Sequence, residues 1–114
     1  MDKKQAIEIA KEYADSIKGK YIIVKVILFG SYANVNFHKD SDIDIAIIIR
    51  HTNDIIDTQI ELMKLRRKVD LRIEPHPFDI IDFNNSNPLA SEILKYGIDI
   101  KVAWFIHRTK AHLV

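Results

Sequence analysis

The chain has 114 residues, 17 Lys and Arg against 16 Asp and Glu, a formal net charge of +1 and no cysteine. One domain of ordinary size fits that length, while disulfides, thiolate metal sites and a cysteine nucleophile are excluded. With 47% hydrophobic residues the chain can build a real core, and a charge so near zero argues against a protein that coats nucleic acid directly. No apolar h-region follows Met1-Asp2-Lys3-Lys4, and no apolar run approaches the about 20 residues of a membrane span. The expectation is a cytoplasmic chain.

Residues 2–18 read as an amphipathic helix, with Ala6, Ala10, Tyr13 and Ile17 at three- and four-residue steps. Asp2 and Gln5 form a capping-box pattern ahead of it, and Gly19 is the stop. Residues 21–29 are a β-branched apolar run of strand length, ending at Gly30-Ser31. After a polar stretch, residues 43–50 read as a second strand. Asn53 or Asp54 then caps a helix to about Arg67. Residues 68–74 alternate strictly and predict a third strand, stopped by Pro75 and Pro77. Asn87, Pro88 and Gly97 frame a last helix, and 98–103 a final strand. The order α-β-β-α-β-α-β predicts an α/β (α+β) domain over 1–103: a mixed sheet of about four strands with helices packed on it. The tail from Trp104 to Val114 has no assignable role.

The chemistry concentrates in Phe29-Gly30-Ser31, ten intervening residues, and Asp42-Ile43-Asp44. Residues i and i+2 of a strand share a face, so Asp42 and Asp44 project together. Like charges side by side call for a cation, and Mg²⁺, which takes carboxylate and phosphate oxygens, fits. Gly30 allows a sharp turn and lets a phosphate approach main-chain N–H groups, to which the Ser31 hydroxyl adds a hydrogen bond. On the third strand Asp70, Arg72 and Glu74 share one face. Either Asp70 or Glu74 could then complete a three-carboxylate site for two metal ions, suited to in-line displacement at phosphorus.

Gly30-Ser31, Asp42-Ile43-Asp44 and Val69-Asp70-Leu71 together resemble the nucleotidyltransferase fold of the DNA polymerase β superfamily. More narrowly, the chain is similar to the minimal nucleotidyltransferases (MNT), many of them antitoxins paired with HEPN toxins. The resemblance implies two Mg²⁺ ions, ATP as donor, and transfer of AMP to a tyrosine of the toxin. It implies that Gly30 and Ser31 contact the triphosphate, that Asp42 and Asp44 hold both metals, and that Asp70 is the third carboxylate; Glu74, at the strand end ahead of Pro75-His76-Pro77, could serve the acceptor side. The chain departs from the family pattern at Asn34 and Val35, where a basic residue and a glycine are usual. That departure keeps a non-catalytic masking antitoxin as the alternative, beside a nucleotidyltransferase acting on a small molecule or an RNA end. A second copy of the chain is also an admissible partner. His38, Lys39, the cluster Lys64, Arg66, Arg67 and Lys68, and His76 are read first as solvated residues, with phosphate, partner or acceptor contact as the rival role.

Overall fold

The computed structural model describes residues 1–34, 37–38 and 41–102. Val35, Lys39, the end of the predicted last strand and the tail 104–114 lie outside the described residues.

Helix α1, Lys3–Ile17, starts at the expected capping box. The Asp2 carboxylate accepts the Gln5 N–H at 2.8 Å, and Gln5 Oε1 accepts the Asp2 N–H at 2.9 Å. Its predicted stripe is buried. Strand β1 is Ile23–Phe29 and β2 is Ile43–Ile49. Helix α2, Ile55–Leu65, is capped by the Asp54 side chain, which accepts from the Ile56 and Asp57 N–H groups. Strand β3 is Ile73–Asp79; helix α3, Pro88–Tyr96, is capped by Asn87; and β4 is Ile98–Asp99. The strands form one mixed sheet in the order β3-β2-β1-β4, with β1 antiparallel to β2 and β4, and β2 parallel to β3.

The third strand corrects the expectation from sequence. Residues 66–68 continue α2 as a 3-10 turn, and the strand begins at Ile73 and runs through both prolines. Pro75 and Pro77 survive there because β3 is an edge strand. The N–H and C=O of a strand residue point to the same side. The Pro75 carbonyl accepts from Gln59 Nε2 at 2.8 Å, which places it on the outer edge, where a missing N–H breaks no ladder bond. The Ile73 carbonyl on that same edge accepts from Arg66 Nη1 at 2.9 Å, and the Ile73 N–H donates to the Asp70 carbonyl. A residue before proline is biased toward extended backbone, so the two prolines hold Glu74 and His76 in strand conformation.

Helices cover both faces of the sheet. On one face Ile43, Ile45, Ile47, Val26 and Leu28 pack with Ala6, Ala10, Tyr13 and Ile17 of α1 and Leu62 of α2. The Tyr13 hydroxyl donates to the Leu62 carbonyl at 2.7 Å, tying the two helices, and burial pushes its phenol pKa up. On the other face Ile27, Phe29, Ala46, Ile48 and Phe78 pack with Ala90 and Ile93 of α3. The period of two assigns Asp44, two residues before Ala46, to this second face, beyond the apolar cluster under α3. No helix among the described residues is long and apolar enough to cross a membrane.

Candidate metal and phosphate site

The site starts where β1 ends. Phe29 pairs with Asp44 across the sheet, and Gly30 opens a 3-10 turn over Gly30–Ala33. Gly30 has φ 74°, in the left-handed region that favours glycine. A Cβ here would overlap Asp44 Oδ2 and lie 3.2 Å from its Cγ. The glycine therefore serves a close approach as well as a turn: it leaves room for the Asp44 carboxylate. Ser31 follows, half-buried. Asn34, at the position where the family pattern has a basic residue, donates from Nδ2 to the Gly30 carbonyl at 3.2 Å and ties the turn back on itself.

Asp42 stands exposed just before β2. It is delivered by a clasp in the preceding loop, where the buried Ser41 hydroxyl accepts the His38 N–H and the Ser41 N–H donates to the His38 carbonyl, both at 2.9 Å. The Tyr32 hydroxyl donates to the same carbonyl at 3.2 Å, and its ring stacks on Phe37. His38 thus anchors the loop through its backbone.

Strand β3 brings the remaining groups. Glu74 lies in register with Asp44, and His76 follows two residues on. His76 Nε2 is 3.1 Å from Asp44 Oδ1, and its ring stands edge-on to Phe29 with centroids 4.9 Å apart. One ligand atom from each of Asp44, Glu74 and His76 falls within 4.8 Å of the others. Glu74 also shares a side-chain hydrogen bond with Asp42, so two carboxyl groups hold one proton between them or repel. Burial foremost, then the Asp44 charge and the bond to Asp42, raise the Glu74 carboxyl above its usual range, against a smaller opposing pull from His76.

Asp70 is placed elsewhere. It sits in the turn before β3, where its carboxylate accepts from the Arg72 N–H and Nε at 2.9 Å and from Nη2 at 2.7 Å. That Arg72 fork holds the Asp70 pKa below the usual carboxylate value. The structure thus unites Asp42, Asp44 and Glu74 and leaves Asp70 in a pair of its own. Arg66 turns inward to the Ile73 carbonyl, while Lys64, Arg67 and Lys68 are exposed. Sequence reasoning did not place His76 here. The available signal was the alternation of Glu74, His76 and Phe78 against Ile73, Pro75 and Pro77, with each polar residue preceding a proline.

The raised Glu74 pKa carries a prediction with a definite sign. Its contribution to stability is fully present below the unfolded carboxylate pKa and is lost as pH rises through the higher folded value. At pH 7 the ionised group therefore destabilises the metal-free fold. Glu74→Gln keeps a donor toward Asp42 and removes that charge. Thermal melts without divalent ions should show a higher midpoint for the variant at pH 7, with the gain shrinking toward about pH 4. An equal or lower midpoint at pH 7 would show that burial and the neighbouring charges put no cost on ionised Glu74.

Comparison with known proteins follows the same lines. The profile of the family described as "Polymerase beta, Nucleotidyltransferase" matches residues 4–102. A Methanocaldococcus jannaschii protein named "Putative protein adenylyltransferase" is 27% identical over 99 residues, spanning 84% of this chain and 99% of that one. Among solved structures, a toxin–antitoxin complex with AMP-PNP superposes with a TM-score of 0.57 at 24% identity, covering 99% of this chain and 87% of that one. The Shewanella oneidensis MNT antitoxin in complex with its tri-AMPylated HEPN toxin gives a TM-score of 0.54 at 21% identity, covering 94% and 78%. At such identities the superpositions establish a shared fold.

Proposed function

From the premise that this chain belongs to the polymerase β nucleotidyltransferase family, we propose that it transfers AMP from ATP to a tyrosine hydroxyl of a partner HEPN toxin, as that toxin's antitoxin. The observation that carries this reading is the convergence of Asp42, Asp44 and Glu74 beside the Gly30 turn. The protein adenylyltransferase relative and the AMPylated-toxin neighbour support the choice of nucleotide and acceptor.

The acidic group fits Mg²⁺, because it offers hard carboxylate oxygens from residues that the Asp44–Glu74 register and the Glu74–Asp42 hydrogen bond bring together. Asp42, Asp44 and Glu74 would hold it; Glu74 takes the third place by its register with Asp44, while Asp70 is engaged by Arg72. Bound there, Mg²⁺ neutralises phosphate charge and makes the α-phosphorus more electrophilic. The chain does the rest. The Gly30 turn and the Ser31 hydroxyl receive the triphosphate. The tyrosine oxygen forms its bond to the α-phosphorus as the bond to the bridging oxygen breaks, and pyrophosphate leaves. The Glu74 carboxylate, beside the position of the attacking oxygen, accepts the hydroxyl proton.

The test is incubation with a HEPN toxin, Mg²⁺ and ATP labelled in its α-phosphate. Label should appear on a toxin tyrosine and vanish in Asp42→Ala. Tight complex formation without label would overturn the reading in favour of a masking antitoxin. One observation favours that second reading: Asn34 closes the Gly30 turn instead of offering a cation to the triphosphate.

A further inference from the structure

The family reading needs only the carboxylates, and His76 is left unexplained by it. The imidazole is not a loose surface group. Its backbone is held extended by Pro77, its ring lies edge-on to Phe29, and its side chain retains 26% exposure, enough for an ion to reach it. Its Nε2 faces the carboxylate cluster, 3.1 Å from Asp44 Oδ1 and within 4.8 Å of a Glu74 oxygen. Around an octahedral ion with bonds of about 2.1 Å, neighbouring ligand atoms lie about 3 Å apart and opposite ones about 4.2 Å apart. The 3.1 Å between His76 Nε2 and Asp44 Oδ1 is the spacing of neighbouring ligands, and a Glu74 oxygen lies within 4.8 Å of both, so small side-chain adjustments bring all three onto one such ion.

We propose that His76 is a nitrogen ligand of this site and makes it prefer Mn²⁺ to Mg²⁺. The proposal rests on the nucleotidyl-transfer reading for its purpose, but on the Asp44–Glu74–His76 geometry for its content. Mg²⁺ is a hard ion that favours oxygen, whereas Mn²⁺ accepts imidazole nitrogen while keeping affinity for carboxylates and phosphates. A site of carboxylates alone discriminates weakly between the two; one nitrogen donor held on a rigid strand tips the balance.

The experiment uses the full chain, stripped of metal and without nucleotide. Calorimetric titration should show Mn²⁺ binding at least about tenfold more tightly than Mg²⁺. Pulsed EPR of the Mn²⁺ complex should show coupling to a ring nitrogen. His76→Ala should lose the coupling and weaken Mn²⁺ binding about tenfold or more, with little change for Mg²⁺. His76→Gln retains a hydrogen-bonding group toward Asp44 without the imidazole nitrogen, and should behave as His76→Ala does. Melting curves of both variants confirm that they are folded. Absence of nitrogen coupling in the parent protein overturns the proposal. So does an equal loss of both ions in His76→Ala with recovery in His76→Gln, since His76 would then only orient Asp44. The two readings fail separately: an unlabelled toxin with Mn²⁺ preference intact sinks the transfer reaction alone, and a labelled toxin without that preference sinks the nitrogen ligand alone.

Discussion

Asp44→Asn should lower nucleotidyl transfer by about a thousandfold or more while leaving the chain folded. Asp44 occupies the centre of the site in every direction. Phe29 lies beside it on β1, Glu74 on β3, and Gly30 leaves room for its Oδ2. Asparagine has nearly the same shape and can still accept from His76 through its oxygen, so the packing of β2 is untouched. What disappears is one negative charge at the proposed cation position. Removing it also relieves the repulsion felt by Glu74, so the metal-free melting temperature should not fall. Label transfer and thermal melts on the same preparation check both halves. Activity within about tenfold of the parent would remove Asp44 from the metal assignment.

Gly30→Ala should be the most damaging conservative change in the loop. Placing a Cβ at φ 74° costs about 1–3 kcal/mol by itself. The new methyl also overlaps the Asp44 carboxylate, which must swing away or push the turn outward. Gly19 supplies the control. Its φ is 84°, yet a Cβ there meets nothing within 4 Å. Gly19→Ala should therefore show the backbone penalty alone and retain transfer activity. Gly30→Ala should lose more stability in denaturant melts and most of its activity. Equal losses for the two variants would show that the approach of Gly30 to Asp44 is unimportant.

The parts of this molecule legible in the sequence are those set by neighbours in the chain. The Asp2–Gln5 box, the Asp54 and Asn87 caps and the apolar run of β2 all stand where local rules put them, because each depends on groups a few residues apart. Asp42 and Asp44 were readable as a pair for the same reason, a period of two around a single strand start. The third strand was not. Proline disrupts a central strand and is harmless on an outer edge, and whether β3 is central or outer depends on pairing with β2 some thirty residues away. A strand over 68–74 puts Asp70 and Glu74 on one face alike, and the family resemblance favours Asp70; in the structure it is Glu74 that lies in register with Asp44, with His76 two residues further on. What joins Glu74 to Asp44 is a lateral alignment between strands, and no spacing along the chain encodes it.

The outer side of β3 limits how molecules of this protein can associate. From Ile73 to Pro77 that side has no free N–H to give: Ile73 has spent its own within the chain and the prolines have none. Arg66 and Gln59 already occupy the carbonyls of Ile73 and Pro75. Two copies therefore cannot merge their sheets across β3 into one continuous sheet, and an extended peptide cannot extend it there. Self-association, where it occurs, must use a surface other than the outer edge of β3. The margin of the sheet that carries Glu74 and His76 is thereby kept from being sealed by strand addition.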